Sequence, residues 1–227
     1  MKLSSQTIAA FVAAPLTMLI ATAALADDDI ARPSYKFVEV DYVYATANVE
    51  SPQLPAQANQ DTWNLPEGFA LKANYVFVEQ LLLRASYYDG SGKWKDTADV
   101  DASSGLVGIS WLAPTSDATG IDVGIDYRGD NVTFKNSKNN FDQDIDGLGV
   151  SFGVRAAPFK NTEIGARVGW YEGDFEGAIG FNLNFGWSFN EHWGINAWWD
   201  NIDADVNSSE LSKYELNQYG IGGRYFF

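Results

Sequence analysis

The sequence predicts an all-β protein: a closed, antiparallel, up-and-down transmembrane β-barrel of ten strands, with eight as the alternative, formed by residues 27–227 as a single domain. Three observations predict it. A secretory leader is followed by no apolar run of helix-spanning length, apolar and polar side chains alternate over strand-length segments, and the last strand ends on an aromatic residue.

Residues 1–26 read as a signal peptide, with Lys2 in the positive region, Ile8 to Ala21 as the apolar stretch and Ala24-Leu25-Ala26 as the small-residue cleavage site. A transmembrane helix is the competing reading, and Pro15 and the following Asp27-Asp28-Asp29 oppose it. Without a spanning helix, a membrane location requires a closed barrel, because every backbone group must find its partner inside the protein. The chain has no cysteine, which excludes a lipid-modified Cys, disulfides and thiolate chemistry. Its net charge of −15 excludes a basic nucleic-acid footprint.

The alternating segments fall near 35–46, 67–77, 81–89, 101–112, 120–128, 145–156, 163–171, 177–189, 193–201 and 214–227. The links after the second, fourth, sixth and eighth are short or carry turn residues, and most of the others are expected to be longer and polar. Membrane barrels have this asymmetry, and an even strand count places both termini in the periplasm. The fifth strand sets Ile121, Val123, Ile125 and Tyr127 against Asp122, Gly124, Asp126 and Arg128. The sixth sets Leu148, Val150, Phe152 and Val154 against Gly149, Ser151, Gly153 and Arg155, and the eighth sets Ile179, Phe181, Leu183, Phe185 and Trp187 against glycine, asparagine and serine. Glycines and charges would make a poor dry core, so the large apolar face is assigned to lipid. The hairpin over 67–89 alternates least well, and losing it would give eight strands.

Aromatic residues on that face divide into two girdles. Tyr75, Trp111, Trp187, Trp193, Tyr225 and Phe227 lie toward the periplasmic end; Tyr44, Phe69, Tyr87, Tyr127, Trp170, Trp199 and Tyr219 lie toward the other. In the last strand Tyr219, Ile221, Gly223, Tyr225 and Phe227 share one face, while Gln218, Gly220, Gly222 and Arg224 share the opposite one.

This terminal segment resembles the C-terminal strand of bacterial outer-membrane β-barrels, and the chain from Asp27 onward is similar to small barrels of the OmpA-domain and OmpX type. It departs from them in having ten strands rather than eight. The resemblance implies an outer-membrane location in contact with lipid and lipopolysaccharide. It also implies that Tyr219, Ile221, Gly223, Tyr225 and Phe227 form the signal read by the barrel-insertion machinery. The expected role is non-enzymatic, in structure, envelope integrity or surface interaction through polar extracellular loops. A narrow pore or transporter for small solutes is the alternative.

The face assigned to the lumen carries Lys72, Arg84, Arg128, Arg155, Arg167 and Arg224 together with Glu39, Asp41, Asp122, Asp126 and Asp200. These either form a charged constriction or pair with one another, and an unpaired charge in a low-dielectric interior costs several kcal/mol. Glu39 or Asp41 is expected to meet Arg224 where the first strand closes on the last. The inward glycines either open space or admit Arg, Trp198 and Phe226. No large open pore is expected.

Other candidate sites are weaker. Asp142, Asp144 and Asp146 copy the opening of a calcium loop, but Gly153 stands where a bidentate Glu belongs, so a solvated acidic loop is expected. The single histidine, His192, falls in a periplasmic turn, away from an outer-leaflet substrate. Asp203 and Asp205 read as loop acids, and Asn131-Val132-Thr133 and Asn207-Ser208-Ser209 as loop sequence. No cofactor is expected.

Overall fold

The computed structural model describes residues 35–78, 80–116, 118–137, 140–206 and 211–227; the expected signal peptide at 1–26 and the Asn207-Ser208-Ser209 motif lie outside the described residues. Ten antiparallel strands close into one barrel: β1 Phe37–Glu50, β2 Trp63–Val78, β3 Leu81–Trp94, β4 Ala98–Pro114, β5 Thr119–Lys135, β6 Asn140–Ala156, β7 Thr162–Gly173, β8 Phe175–Ser188, β9 Trp193–Val206 and β10 Lys213–Phe226. Each strand pairs with its sequence neighbours, and β1 pairs with β10, so the sheet has no free edge. Phe37 lies opposite Phe226, which puts the start of the first strand and the end of the last at the same, terminal end of the barrel.

The strands run farther than the sequence predicts, and almost always at the distal end. In β1 the outward positions are Val38, Val40, Tyr42 and Tyr44, all exposed, and the inward positions begin with Phe37 followed by Glu39 and Asp41, all buried. Above Tyr44 the same alternation continues with its chemistry exchanged. Ala45, Ala47 and Val49 point inward and are buried, while Thr46 and Asn48 face out. The exchange recurs in β5, where Val132 and Phe134 are buried above Arg128, and in β9, where Ile202, Ala204 and Val206 are buried above Asp200. The barrel therefore has two zones. One has an apolar outside and a polar inside, as lipid requires; the other has a polar outside and an apolar inside, as water requires.

In β10 the lipid-type zone runs from Tyr219 to Phe227, which at ~3.4 Å per residue and a tilt of ~40° spans about 20 Å along the barrel axis. Its rims are the two aromatic girdles. At the distal rim the rings of Tyr44 and Tyr219 are 6.5 Å apart and those of Phe69 and Tyr87 6.2 Å apart. At the terminal rim Tyr75 stacks on Phe227 at 6.0 Å and Trp193 meets Tyr225 edge-on at 4.9 Å.

Two bulges mark the change of zone. The register slips between Val43 and Ala45, where β2 carries the extra Pro66-Glu67 step, and the Tyr42 hydroxyl donates to the Pro66 carbonyl there. Proline cannot donate to a ladder, and a bulge is where a closed sheet tolerates it. On β8 the slip between Glu176 and Ile179 is made by Gly177 at φ +64°, beneath the Trp170 ring.

The extension of the strands corrects the expectation of long polar loops. The distal connections are residues 95–97, 136–139, 174 and 207–212, with only 51–62 longer. Because the inner faces above the girdle are apolar, the strands gain more by burying them in a continued barrel than by ending as loops. Even the long connection turns inward: Leu54 and Ala58 are buried in the distal core, and Trp63 Nε1 donates to the Ala58 carbonyl at 3.2 Å. The hairpin over 67–89 is present in full as β2 and β3.

Candidate functional site: the barrel lumen

From the terminal end inward, the lumen is first a charge network. β10 places Arg224 directly opposite Glu39 of β1, and Nε donates to Glu39 Oε2 at 2.6 Å. Arg224 also reaches across the barrel, donating from Nη1 to Glu163 of β7 at 2.9 Å, and Glu163 lies 3.5 Å from Arg155. Arg167 grips both oxygens of Asp122 at 2.6 and 2.7 Å. Arg84 pairs with Asp126 at 2.6 Å, and both Arg84 and Arg167 donate to Ser151 Oγ at 3.0 Å. Arg128 Nε donates to both oxygens of Asp130 at 3.1 Å, and its Nη1 lies 3.4 Å from Asp200 on the opposite wall.

Arg224–Glu163, Arg167–Asp122, Arg84–Asp126 and Arg128–Asp200 connect strands that are not neighbours, so these contacts tie separate walls together across the lumen. They also satisfy charges that burial would otherwise make costly. Asp41 departs from the expected pattern: it accepts from Trp198 Nε1 at 2.9 Å rather than pairing with an arginine. Lys72 likewise forms no ion pair among the described residues; its ammonium sits 3.1 Å from the centroid of the Trp198 ring. Glu163 and Asp130 were not among the expected lumen acids. Glu163 stands at the very start of its strand and Asp130 just beyond the expected end of β5, where alternation had not been followed.

Three aromatic rings, Tyr88, Tyr171 and Trp198, turn into the same section of the lumen, and glycines make room for them. A Cβ at Gly169 would stand 2.8 Å from the Tyr171 ring, and one at Gly220 would stand 2.2 Å from Trp198. The inward glycines therefore admit side chains to the lumen centre rather than widening a channel.

At the distal end the lumen is closed by apolar packing. Trp63 of β2 and Phe134 of β5 touch across the interior with ring centroids 5.4 Å apart, and Trp94 of β3 meets Phe134 at 5.7 Å. Phe141, Phe175, Ile202, Tyr214 and Leu216 fill the rest of this section and are fully buried. Such a core behaves as the interior of a soluble barrel, and a void wide enough for passage would forfeit its contacts. Below this core, among the side chains of the charge network, remains a cavity of about 130 Å³.

The remaining sequence candidates lie elsewhere. Asp142, Asp144 and Asp146 belong to β6 and not to a loop, which corrects that expectation. They occupy alternate outward positions, and successive same-face residues on a strand stand ~7 Å apart, too far for three carboxylates to converge on one ion. They are engaged in the sheet surface instead: Asn131 donates to Asp142 and Asp144 at 2.9 and 2.8 Å, and Tyr127 to Asp146 at 3.0 Å. No metal-binding cluster of acids or histidine occurs among the described residues. Asn131 and Thr133 likewise lie within β5. His192 sits in the terminal turn, stacked on Tyr225 at 5.9 Å. Asp203 and Asp205 are on β9, facing out above the girdle. Tyr219, Ile221, Gly223, Tyr225 and Phe227 occupy the outer face of the last strand and its end, as their spacing predicts.

No protein-family model and no curated protein matches the chain. Solved structures do. The outer-membrane protease OmpT from Escherichia coli aligns with a TM-score of 0.50 at 11% identity, over 84% of this chain and 96% of that one. Neisserial surface protein A aligns at 0.49 and 13% identity, over 86% and 98%. OprG, an outer membrane protein from Pseudomonas aeruginosa, aligns at 0.40 and 13% identity, over 88% and 99%. At such identities the likeness concerns the fold, a closed up-and-down β-barrel.

Proposed function

We propose that this protein is a non-conducting barrel of a bacterial outer membrane, with a structural, envelope-integrity or surface-interaction role. The observation that carries the reading is the exchange of inside and outside chemistry at the distal girdle. Below it the outer face suits hydrocarbon; above it the outer face is acidic and hydrated around an apolar core. A rigid, water-facing barrel standing above the membrane presents a defined surface to lipopolysaccharide or to other molecules, in place of long loops. The terminal strand, with its outward aromatics, would serve the insertion machinery.

A transport role would require the distal core to come apart at each passage, and the packing of Trp63 on Phe134 opposes it. An enzymatic role based on histidine would have to work from the terminal turn, where His192 lies.

Site-directed labelling tests the location and orientation, and the absence of native cysteine makes it clean. Cysteines replace Asp144 on the distal outer face, Val123 in the apolar band and Asn190 in a terminal turn. With an impermeant maleimide on intact cells, D144C is expected to label, N190C to label only after permeabilisation, and V123C in neither case. Labelling of N190C alone on intact cells, or recovery of the protein in the soluble periplasmic fraction, would refute the reading.

A further inference from the structure

The cavity of about 130 Å³ within the charge network has a one-sided wall. All six lumen cations, Lys72, Arg84, Arg128, Arg155, Arg167 and Arg224, line it, but of the lumen carboxylates only Glu39 and Asp200 do. Asp122, Asp126, Asp130 and Glu163 hold their arginines from behind, so the positive groups are pre-positioned toward the void. The hydrogen-bonding inventory has the same bias. Arg84 Nε, Arg128 Nη2, Asn184 Nδ2 and Gln218 Nε2 are buried donors without a partner among the described residues, and all four residues line the cavity. The side chains of Arg128 and Arg84 are only 4% and 7% exposed. Against these donors the lining offers one orphan amide acceptor, Asn196 Oδ1, and the unpartnered Tyr88 hydroxyl, which can accept or donate.

Buried donors left unmet cost free energy, and guanidinium and amide donors that face one cavity together are satisfied well by the oxygens of an anion. A space of about 130 Å³ accommodates one small tetrahedral oxyanion with part of its hydration. We propose that the lumen is a binding site for a single inorganic oxyanion, phosphate or sulfate, reached from the terminal end and closed toward the distal end. The site goes beyond the surface role proposed above and does not depend on it: a barrel that fails to bind the anion remains a closed barrel.

The test uses the full barrel refolded in a maltoside detergent, which brings no phosphate of its own. Phosphorus NMR line broadening and thermal stability are followed as phosphate or sulfate replaces chloride at constant ionic strength. Two variants probe the wall. Lys72→Met removes a charge that forms no ion pair, and Asn184→Leu removes an unpartnered donor at nearly constant volume; heat-modifiable migration reports that each is folded. Saturable binding by the unaltered barrel, weakened at least about tenfold in whichever variant folds, is the expected result, as loss of one charge-assisted or buried hydrogen bond implies. Absence of saturable phosphate and sulfate binding to the unaltered barrel, or unchanged affinity in both variants, would overturn the proposal.

Discussion

Arg224 Nε stands 2.6 Å from Glu39 Oε2 across the seam where the last strand closes on the first, and the two residues are direct register partners. The same guanidinium reaches Glu163 on the far side of the lumen at 2.9 Å, so one side chain both seals the barrel and braces it. Removing it leaves two buried carboxylates, whereas neutralising Glu39 leaves the Arg224–Glu163 pair in place. Arg224→Ala is expected to lower unfolding stability in urea by ~3–5 kcal/mol, and Glu39→Gln by less than half of that. Equal losses would show that the cross-lumen contact to Glu163 contributes nothing.

The two zones should respond differently to the same truncation. Phe134 is fully buried in the distal core between Trp63 and Trp94, and Phe134→Ala is expected to cost ~3–5 kcal/mol. Ile125 is 60% exposed on the apolar band, where lipid tails refill what the side chain vacates, and Ile125→Ala in lipid vesicles is expected to cost under ~1 kcal/mol. Urea midpoints of the two variants in the same vesicles check the contrast; a larger loss at Ile125 would contradict the division into zones.

Gly169 and Tyr171 are coupled by contact, since a methyl group at Gly169 meets ring atoms of Tyr171 at 2.8 to 2.9 Å. Gly169→Ala is expected to destabilise by ~1–3 kcal/mol through overpacking. In a Tyr171→Ala background the same change should cost much less, giving a positive coupling in a double-mutant cycle. Strict additivity would mean that the ring does not occupy this space.

Much of this was legible in the sequence. Alternation in β5, β6 and β8 and the aromatic rows of β9 and β10 carry the barrel, its strand count and the lipid face; the inward direction of Glu39, Asp41 and Arg224 at the closure predicts a seam contact from Glu39 or Asp41 to Arg224, and the structure makes it through Glu39. What escaped was the distal barrel. Its strands keep the parity of the lower strands, but Val132, Phe134, Ile202 and Ala204 make the inner face apolar, so a reading that equates the apolar face with the lipid face stops at Tyr127 and Trp199. The bulges at Pro66 and Gly177 shift parity as well, which breaks the pattern in β2 and β8 where a strand would otherwise be followed further. Glu163 and Asp130 were missed for the same reason, both lying at or past the margins of the clear alternation.

The distal outer face also carries a pH dependence. Burial, with like charge from Glu215 and Asp205, holds the Asp203 carboxyl above the ordinary carboxylate range, and Lys213 at 3.9 Å offsets this only in part. Asp101 is raised by burial and by Asp99 and Asp89, against the pull of Lys135. A carboxyl with a folded-state pKa above its unfolded value binds its proton more tightly when folded, so stability falls as pH rises through the window just above the ordinary value near pH ~4 and the penalty persists at neutrality. Asp203→Asn should therefore raise the urea midpoint at pH 7 and have no such effect at pH 4. A stabilisation of equal size at both pH values would rule out the charge as its cause.

The central claim is that apolar packing above the distal girdle closes the lumen. Single-channel recording of the refolded barrel in planar bilayers tests it most directly. The closed lumen predicts insertion, verified by heat-modifiable migration of the reconstituted protein, without steady conductance. A stable conductance on the nanosiemens scale would contradict it.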